Sequence, residues 1–250
     1  MNFYGILIAL GILAAVLVIE NFCQKEPFKI HHSILDIFPW LVIPGIVGAR
    51  SYHVINFWQY YKSSPVEIFF VWQGGLGIFG ALIGGALGLL LFVWFNKLTK
   101  KEFWNLLDLI SLGLPLAQSI GRFGNFFNQE LYGCPTKLPW GVFINPENRL
   151  PGYENVSRFH PLFLYESFWN LFIFVILVKT RNRFKNGRLF LIYLFLYSLG
   201  RFWLEFLRID SWMAGRFKIN QLATVLLMFL SIYFLIRLRE IPRSKKTSDG

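Results

Sequence analysis

The sequence predicts an all-α polytopic membrane protein: about seven transmembrane helices, with a small extracytoplasmic head inserted between spans 4 and 5. Three observations lead there. Of 250 residues, 55% are hydrophobic, and mean hydropathy is +0.47. Only 16% are charged, against about a quarter in an ordinary soluble domain. Apolar runs approaching the roughly 20 residues that cross a bilayer recur along the chain. A net charge of +11 would suggest nucleic acid as partner of a soluble protein. Here it reads instead as Lys and Arg in cytoplasmic loops, and no nucleic-acid partner is expected.

Residues 3–19 form the first span. No basic segment precedes it and Glu20-Asn21-Phe22 is a poor cleavage site, so a retained helix is expected rather than a signal peptide. Residues 36–58 form the second, with Pro39 and Pro44 expected to kink or break it. An interfacial segment at 64–72 and a third span at 74–95 follow. The fourth span, 103–120, leads into a polar stretch. Residues 131–158 are too rich in Pro, Gly and Asn to cross a membrane and form the head, with a short strand at Trp140–Ile144. Spans five to seven lie near 161–178, 189–207 and 219–236. A basic tail, 237–250, closes what is expected to be one integral-membrane domain, 1–250.

Seven spans place the termini on opposite sides. With the N-terminus outside, fifteen of the 25 Lys and Arg residues fall inside: Lys25, Lys29, Lys97, Lys100, Lys101, Lys179, Arg181, Arg183, Lys185, Arg188, Arg237, Arg239, Arg243, Lys245 and Lys246. Eight lie in outer loops: Lys62, Arg122, Lys137, Arg149, Arg158, Arg208, Arg216 and Lys218. The bias predicts a multi-pass protein with N-terminus out and C-terminus cytoplasmic. Cys23 and Cys134 then face opposite sides, and no disulfide between them is expected.

The chemistry concentrates in Gly121-Arg-Phe-Gly-Asn-Phe-Phe-Asn-Gln-Glu-Leu-Tyr-Gly133, which brings Arg122, Asn125, Asn128, Gln129 and Glu130 within ten residues. Charge at membrane depth is costly, so such a cluster between apolar spans marks a functional site. Its glycines, 121, 124 and 133, permit a turn or a close approach. A second cluster is Gly200-Arg201-Phe-Trp-Leu-Glu205-Phe-Leu-Arg208. Arg201 and Glu205 are i,i+4 on one helix face, and Arg208 extends it. Both a structural ion pair and an anion site fit this spacing; a guanidinium is the natural fixed cation for a phosphate diester. His160-Pro161 at the start of span five is either a cap or a catalyst. Asp108 is expected to receive a buried donor, and His31 and His32 to be solvated. Gly80-x-x-x-Gly84-x-x-x-Gly88 suits close helix packing in lipid. Gly75-x-Gly77-x-x-Gly80 formally matches a dinucleotide fingerprint but lacks its strand and its acidic residue. No His, Cys or carboxylate set has metal-ligand spacing, so neither a metal nor a soluble cofactor is expected.

The 121–133 stretch closely resembles the signature of the prolipoprotein diacylglyceryl transferase family. Tyr4-Gly5, Arg50-x-Tyr52, Trp72-x-Gly74-Gly75, Asp108, His160-Pro161 with Tyr165-Glu166, and Gly200-Arg201-Phe with Glu205-Phe and Arg208 follow in the family's order, so the resemblance spans nearly the whole chain. It implies transfer of diacylglycerol from phosphatidylglycerol to the lipobox cysteine of a prolipoprotein in the bacterial inner membrane, with release of glycerol phosphate. Partners are then phosphatidylglycerol, the prolipoprotein signal-peptide lipobox and the bilayer. The resemblance makes Arg122, Arg201, Glu205 and His160 candidate catalytic residues. Arg122, Asn125, Asn128, Glu130, Gly133, Tyr4 and Arg201 become candidates for binding phosphatidylglycerol, with Glu205 fixing Arg201 and the glycines after Trp72 lining a lipid cavity. One departure concerns the proton. Where the family often has a His after its Gly-Gly pair, this chain has Phe79, which removes the obvious base. A transporter or a non-catalytic lipid-binding protein with a midplane anion site is the alternative; the chain shows no internal repeat of the kind transporters carry.

Overall fold

In a computed structural model of the protein, residues 3–23, 25, 28 and 32–238 are described. Lys29, His31 and the basic tail from residue 239 lie outside them. The helices are α1 (Phe3–Cys23), α2 (Ile34–Asn56), a short α3 (Trp58–Tyr61), α4 (Ile78–Phe95), α5 (Lys100–Asn128), α6 (Leu162–Thr180), α7 (Arg188–Leu204) and α8 (Ile219–Arg237). Among the described residues, α1, α2, α4, α6, α7 with its following turn, and α8 are long and apolar enough to cross a membrane. The 29-residue α5 carries more polar side chains, among them Asn105, Asp108, Arg122 and Asn125, all but Arg122 buried. Two 3-10 turns, Pro65–Phe69 and Val71–Gln73, occupy the expected interfacial segment.

Three boundaries differ from expectation. First, α2 runs unbroken through Pro39 and Pro44; each proline removes one helical hydrogen bond, and an apolar segment in lipid has no better place for its remaining backbone groups. Second, α5 does not end near residue 120. It continues through Gly121 and Gly124 to Asn128, and the chain turns at Gln129 and Leu131, with φ of 52° and 54°. The Gln129 side chain explains the choice: its Oε1 accepts from Asn145 N at 2.7 Å and Asn148 Nδ2 at 3.2 Å, tying the helix end to the segment beyond. Third, α7 stops at Leu204, and a 3-10 turn (Glu205–Leu207) carries Arg208 off the helix face. His32, expected to be solvated, sets its ring edge-on against Phe92.

The chain forms two compact units. One comprises residues 23–25 and 29–103. Its α2 starts with a Ser33–Asp36 capping box and lies tightly on α4. The contact runs along Gly45 and Gly48 on one helix and Gly80, Gly84 and Gly88 on the other, where a Cβ would collide with the carbonyls of Gly48, Pro44 and Trp40. Small residues let backbones touch where no hydrophobic drive separates helix from lipid. Buried Arg50 fastens the segment before α4. It donates to the carbonyls of Ile68 (2.8 Å), Gly74 (2.8 Å), Gly75 (3.3 Å) and Glu67, and its guanidinium lies 5.1 Å over the Tyr61 ring. Gly74 and Gly75 have φ of 91° and 69°, a conformation that costs glycine nothing.

The other unit comprises residues 1–22, 26–28 and 104–250. Here α1 approaches α5 at Gly11, opposite Ala117, and at Gly113, opposite Ile19. Fully buried Asp108 of α5 accepts from the backbone N–H groups of Gly187 (2.8 Å) and Phe190 (2.9 Å). A carboxylate there satisfies orphan donors at the start of α7 and suits its positive end. The segment between α5 and α6 has its own small core of Tyr132, Ile144, Phe159 and Phe163. It pairs β1 (Val142–Phe143) with β2 (Arg158–Phe159), antiparallel, Val142 opposite Phe159. Tyr132 Oη donates to Asn148 O at 3.0 Å and accepts from Leu150 N at 2.6 Å. Burial pushes its phenol above the ordinary pKa, so it stays a neutral donor. A second hairpin, β3 (Met213–Ala214) with β4 (Phe217–Lys218), leads into α8.

The α2–α4 contact makes a direct prediction. Gly84→Val drives a branched side chain into the Pro44 carbonyl, whereas Gly85→Ala places a Cβ at an ordinary 3.6 Å from the Leu41 carbonyl. In detergent, the first variant is expected to lose several degrees or more of thermal midpoint and the second to stay near wild type. Equal midpoints would show that the glycine contact does not hold the pair.

Candidate active site

The polar side chains of α5, α6 and α7 meet around one carboxylate. Glu166 projects from the first turns of α6, and its side chain is 9% exposed. Arg122, on the penultimate turn of α5, brings Nη2 to 2.6 Å from Glu166 Oε2. Arg201, on the last turn of α7, donates from Nη1 to the other oxygen, Oε1. Each oxygen of one carboxylate therefore meets a guanidinium from a different helix. Glycine makes the α6–α7 approach possible: a Cβ on Gly200 would overlap the Trp169 indole, whose Nε1 donates to Leu196 O at 2.9 Å.

Two arms extend the network. On one, Arg122 Nη1 donates to Asn125 Oδ1 at 3.2 Å, Asn125 Nδ2 to Glu130 Oε1 at 2.7 Å, and Asn128 Nδ2 to the same oxygen at 3.4 Å. Asn125 is buried, while Asn128 and Glu130 are exposed. On the other, Arg201 Nη2 lies 3.4 Å from Glu205 Oε2. Glu205 is fully buried; its Oε1 accepts from Ser211 Oγ at 2.7 Å and Asn220 Nδ2 at 3.1 Å, and Lys218 Nζ donates to its backbone carbonyl. The network is thus dry at Glu205 and open at Glu130. A narrow crevice runs beside Arg201, lined by Glu166, Trp169, Asn170, Tyr197 and Leu204. Two planar, permanently charged forks converging on one site can hold any anion that presents two oxygens side by side.

Of the residues singled out from sequence, Arg122, Asn125, Asn128, Glu130, Arg201 and Glu205 join this one network. Three others stand differently. His160 Nδ1 lies 3.2 Å from Tyr165 Oη, which also accepts from Trp140 Nε1 at 2.8 Å. Gly133 is buried where three segments cross: its N–H donates to His160 O at 2.8 Å, it bridges to Arg208, and a Cβ would lie 3.0 Å from both His160 Cβ and the Leu207 carbonyl. Tyr4 lays its ring over Gly124, where a Cβ would come within 2.6 Å of Cδ2.

Two expectations need correction. Glu205 is not the chief anchor of Arg201; Glu166 makes the closer pair, because Glu205 is turned toward Ser211 and Asn220 at the start of α8. Arg208 does not extend the Arg201 face; past the 3-10 turn it forms a bidentate pair with Asp210, at 2.6 and 3.1 Å. Sequence reasoning assigned no role to Glu166. The signal was there, a lone carboxylate in the first turns of an apolar helix.

Comparison with known proteins settles the family. The family model described as "Prolipoprotein diacylglyceryl transferase" matches residues 1–237. The chain belongs to that family. Among similar proteins is the phosphatidylglycerol–prolipoprotein diacylglyceryl transferase of Fervidobacterium nodosum, 44% identical over 233 residues, covering 92% of this chain and 78% of the relative. The protein of the same name from Acaryochloris marina is 40% identical over 255 residues, covering 99% and 91%. That of a Synechocystis strain is 42% identical over 240 residues, covering 92% and 82%. The polar network of this prolipoprotein diacylglyceryl transferase family member lies within the matched residues.

Proposed function

We propose that this chain transfers the diacylglyceryl group of phosphatidylglycerol to the lipobox cysteine thiol of prolipoproteins, forming a thioether and releasing glycerol phosphate, the first step of bacterial lipoprotein maturation. The observation that carries this reading is the convergence of Arg122 and Arg201 on a single two-oxygen anion position, in a chain whose relatives bear that name. A phosphodiester offers two free oxygens in a similar arrangement. Held there, it gains negative charge as the carbon–oxygen bond to diacylglycerol breaks, and fixed guanidinium groups in a water-poor site stabilise that charge without reorganising.

Asn125, Asn128 and Glu130 orient Arg122 and meet the headgroup at the open end. Glu205 supports Arg201 from the dry end. Tyr4, packed beside Gly124, lies next to the lipid at the last turns of α5. Gly133 holds the chain crossing that sets His160. The nucleophile is the substrate thiolate, and a free cysteine has a pKa of about 8.5. Phe79 supplies no base, so the positive field of the two arginines favours the thiolate. His160, oriented by Tyr165, is the competing base. With α5 as the seventh span, the basic residues place the N-terminus outside, the tail in the cytoplasm and the α5–α6 segment as an outer head of the inner-membrane protein.

Purified protein in vesicles of phosphatidylglycerol, given a lipobox peptide, is expected to form the thioether and release glycerol phosphate. Arg122→Lys and Arg201→Lys keep the charge but lose the planar fork. At least one is expected to lower turnover a hundredfold or more while still inserting in the membrane. Near-normal turnover by both would remove phosphate clamping as their role.

Orientation is checked separately by introduced cysteines. A cysteine near residue 150 is expected to react with an impermeant thiol reagent added outside intact cells, and one near residue 183 is expected to be protected. The reverse pattern would invert the topology and put the network on the wrong face.

A further inference from the structure

Glu166 holds the position that the reaction must give to phosphate. Its two oxygens take one guanidinium each, Arg122 at 2.6 Å and Arg201 on the other side. The Glu166 side chain is 9% exposed and Arg201 15%, so this is a nearly dry ion cluster. A third anion entering it cannot share the same two cations without strong repulsion, since like charges in a low dielectric disfavour ionisation of one of them. Glu205, already pinned by Ser211 and Asn220, has nowhere to go. Glu166 has. One turn further along α6, Asn170 lines the same crevice as Glu166 and Arg201. It is 3% exposed, its Nδ2 donates to Glu166 O at 2.9 Å, and its Oδ1 is buried and accepts no hydrogen bond. A buried acceptor without a donor costs about 1–3 kcal/mol. A carboxylic acid at Glu166 supplies that donor; a carboxylate does not.

We propose, resting on the transfer reaction above, that Glu166 is the resting counter-ion of the anion site and the catalytic base of the reaction. The lipid phosphate displaces it from Arg122 and Arg201. The freed carboxylate takes the proton of the lipobox thiol, and the resulting acid donates to Asn170 Oδ1. The sulfur then attacks the glycerol carbon bonded to the phosphate oxygen. A carbon–sulfur bond forms and the carbon–oxygen bond breaks, its electron pair staying on the phosphate held by the arginines. Glycerol phosphate leaves with the proton returned from Glu166, and the carboxylate closes again on the two guanidinium groups. Atoms and charge balance with no further reactant, and the step needs no histidine at position 79. Asn170 is a positioning residue in this scheme.

Glu166→Gln separates the two roles. It removes the competing anion and the base together, so KM for phosphatidylglycerol is expected to stay level or fall while kcat drops a hundredfold or more, the usual span of general-base loss. Asn170→Leu is expected to lower kcat about tenfold with KM unchanged. Glu166→Asp keeps a base but shortens the reach to both arginines, so it should lower KM and retain more kcat than Glu166→Gln; it carries the test if Glu166→Gln does not fold. Wild-type kcat in Glu166→Gln, or a raised KM with kcat intact, would overturn the proposal and leave Glu166 as a brace for the arginines. Absence of turnover by the wild-type protein would instead strike the transfer reaction itself.

Discussion

A charge inside an apolar helix bundle is tolerated only when paired and hydrogen-bonded. The Arg122–Glu166–Arg201 cluster meets that condition by drawing one residue from each of α5, α6 and α7, and much of its unit is arranged to make the meeting possible. Removing one member leaves a buried charge exposed to hydrocarbon, so the three helices cannot drift independently. The cluster is therefore a structural clamp in the resting state and, by the same geometry, an anion site.

Its supports are local and identifiable. Gly200 admits the Trp169 indole against α7 one residue before Arg201. Asp108 fixes the far end of α7 through the N–H groups of Gly187 and Phe190. Glu205 ties the end of α7 to the start of α8 through Asn220. Gln129 ties the end of α5 to the Asn145–Asn148 turn and so to the small core around Tyr132 and Phe159. The network grades from fully buried at Glu205 to exposed at Glu130, which suits a site that must hold a headgroup at one end and exclude water at the other.

Much of this was legible in the sequence. Apolar runs mark the spans because burying backbone in lipid leaves helices as the only choice, and the Gly80–Gly84–Gly88 spacing announced the close α2–α4 contact. The clustered Arg, Asn and Glu residues of 121–133 announced the site. Other features were not legible, because they depend on directions the one-dimensional pattern does not carry. That α5 persists through Gly121 and Gly124 depends on the Gln129 side chain finding Asn145. That Glu166, not Glu205, closes on Arg201 depends on where α8 begins. Arg50 read as a charge within a span; its partners are four backbone carbonyls that only the folded 65–75 segment presents.

Whether Arg122 and Arg201 act on one group or on two is the most direct question to put to the molecule. Affinity for phosphatidylglycerol in nanodiscs of neutral lipid, measured for Arg122→Gln, Arg201→Gln and the double variant, answers it. If both hold one phosphate, the losses are strongly non-additive and the double variant binds no more than a few-fold weaker than the worse single one. Fully additive losses, or singles that bind as wild type does, would contradict a shared anion site.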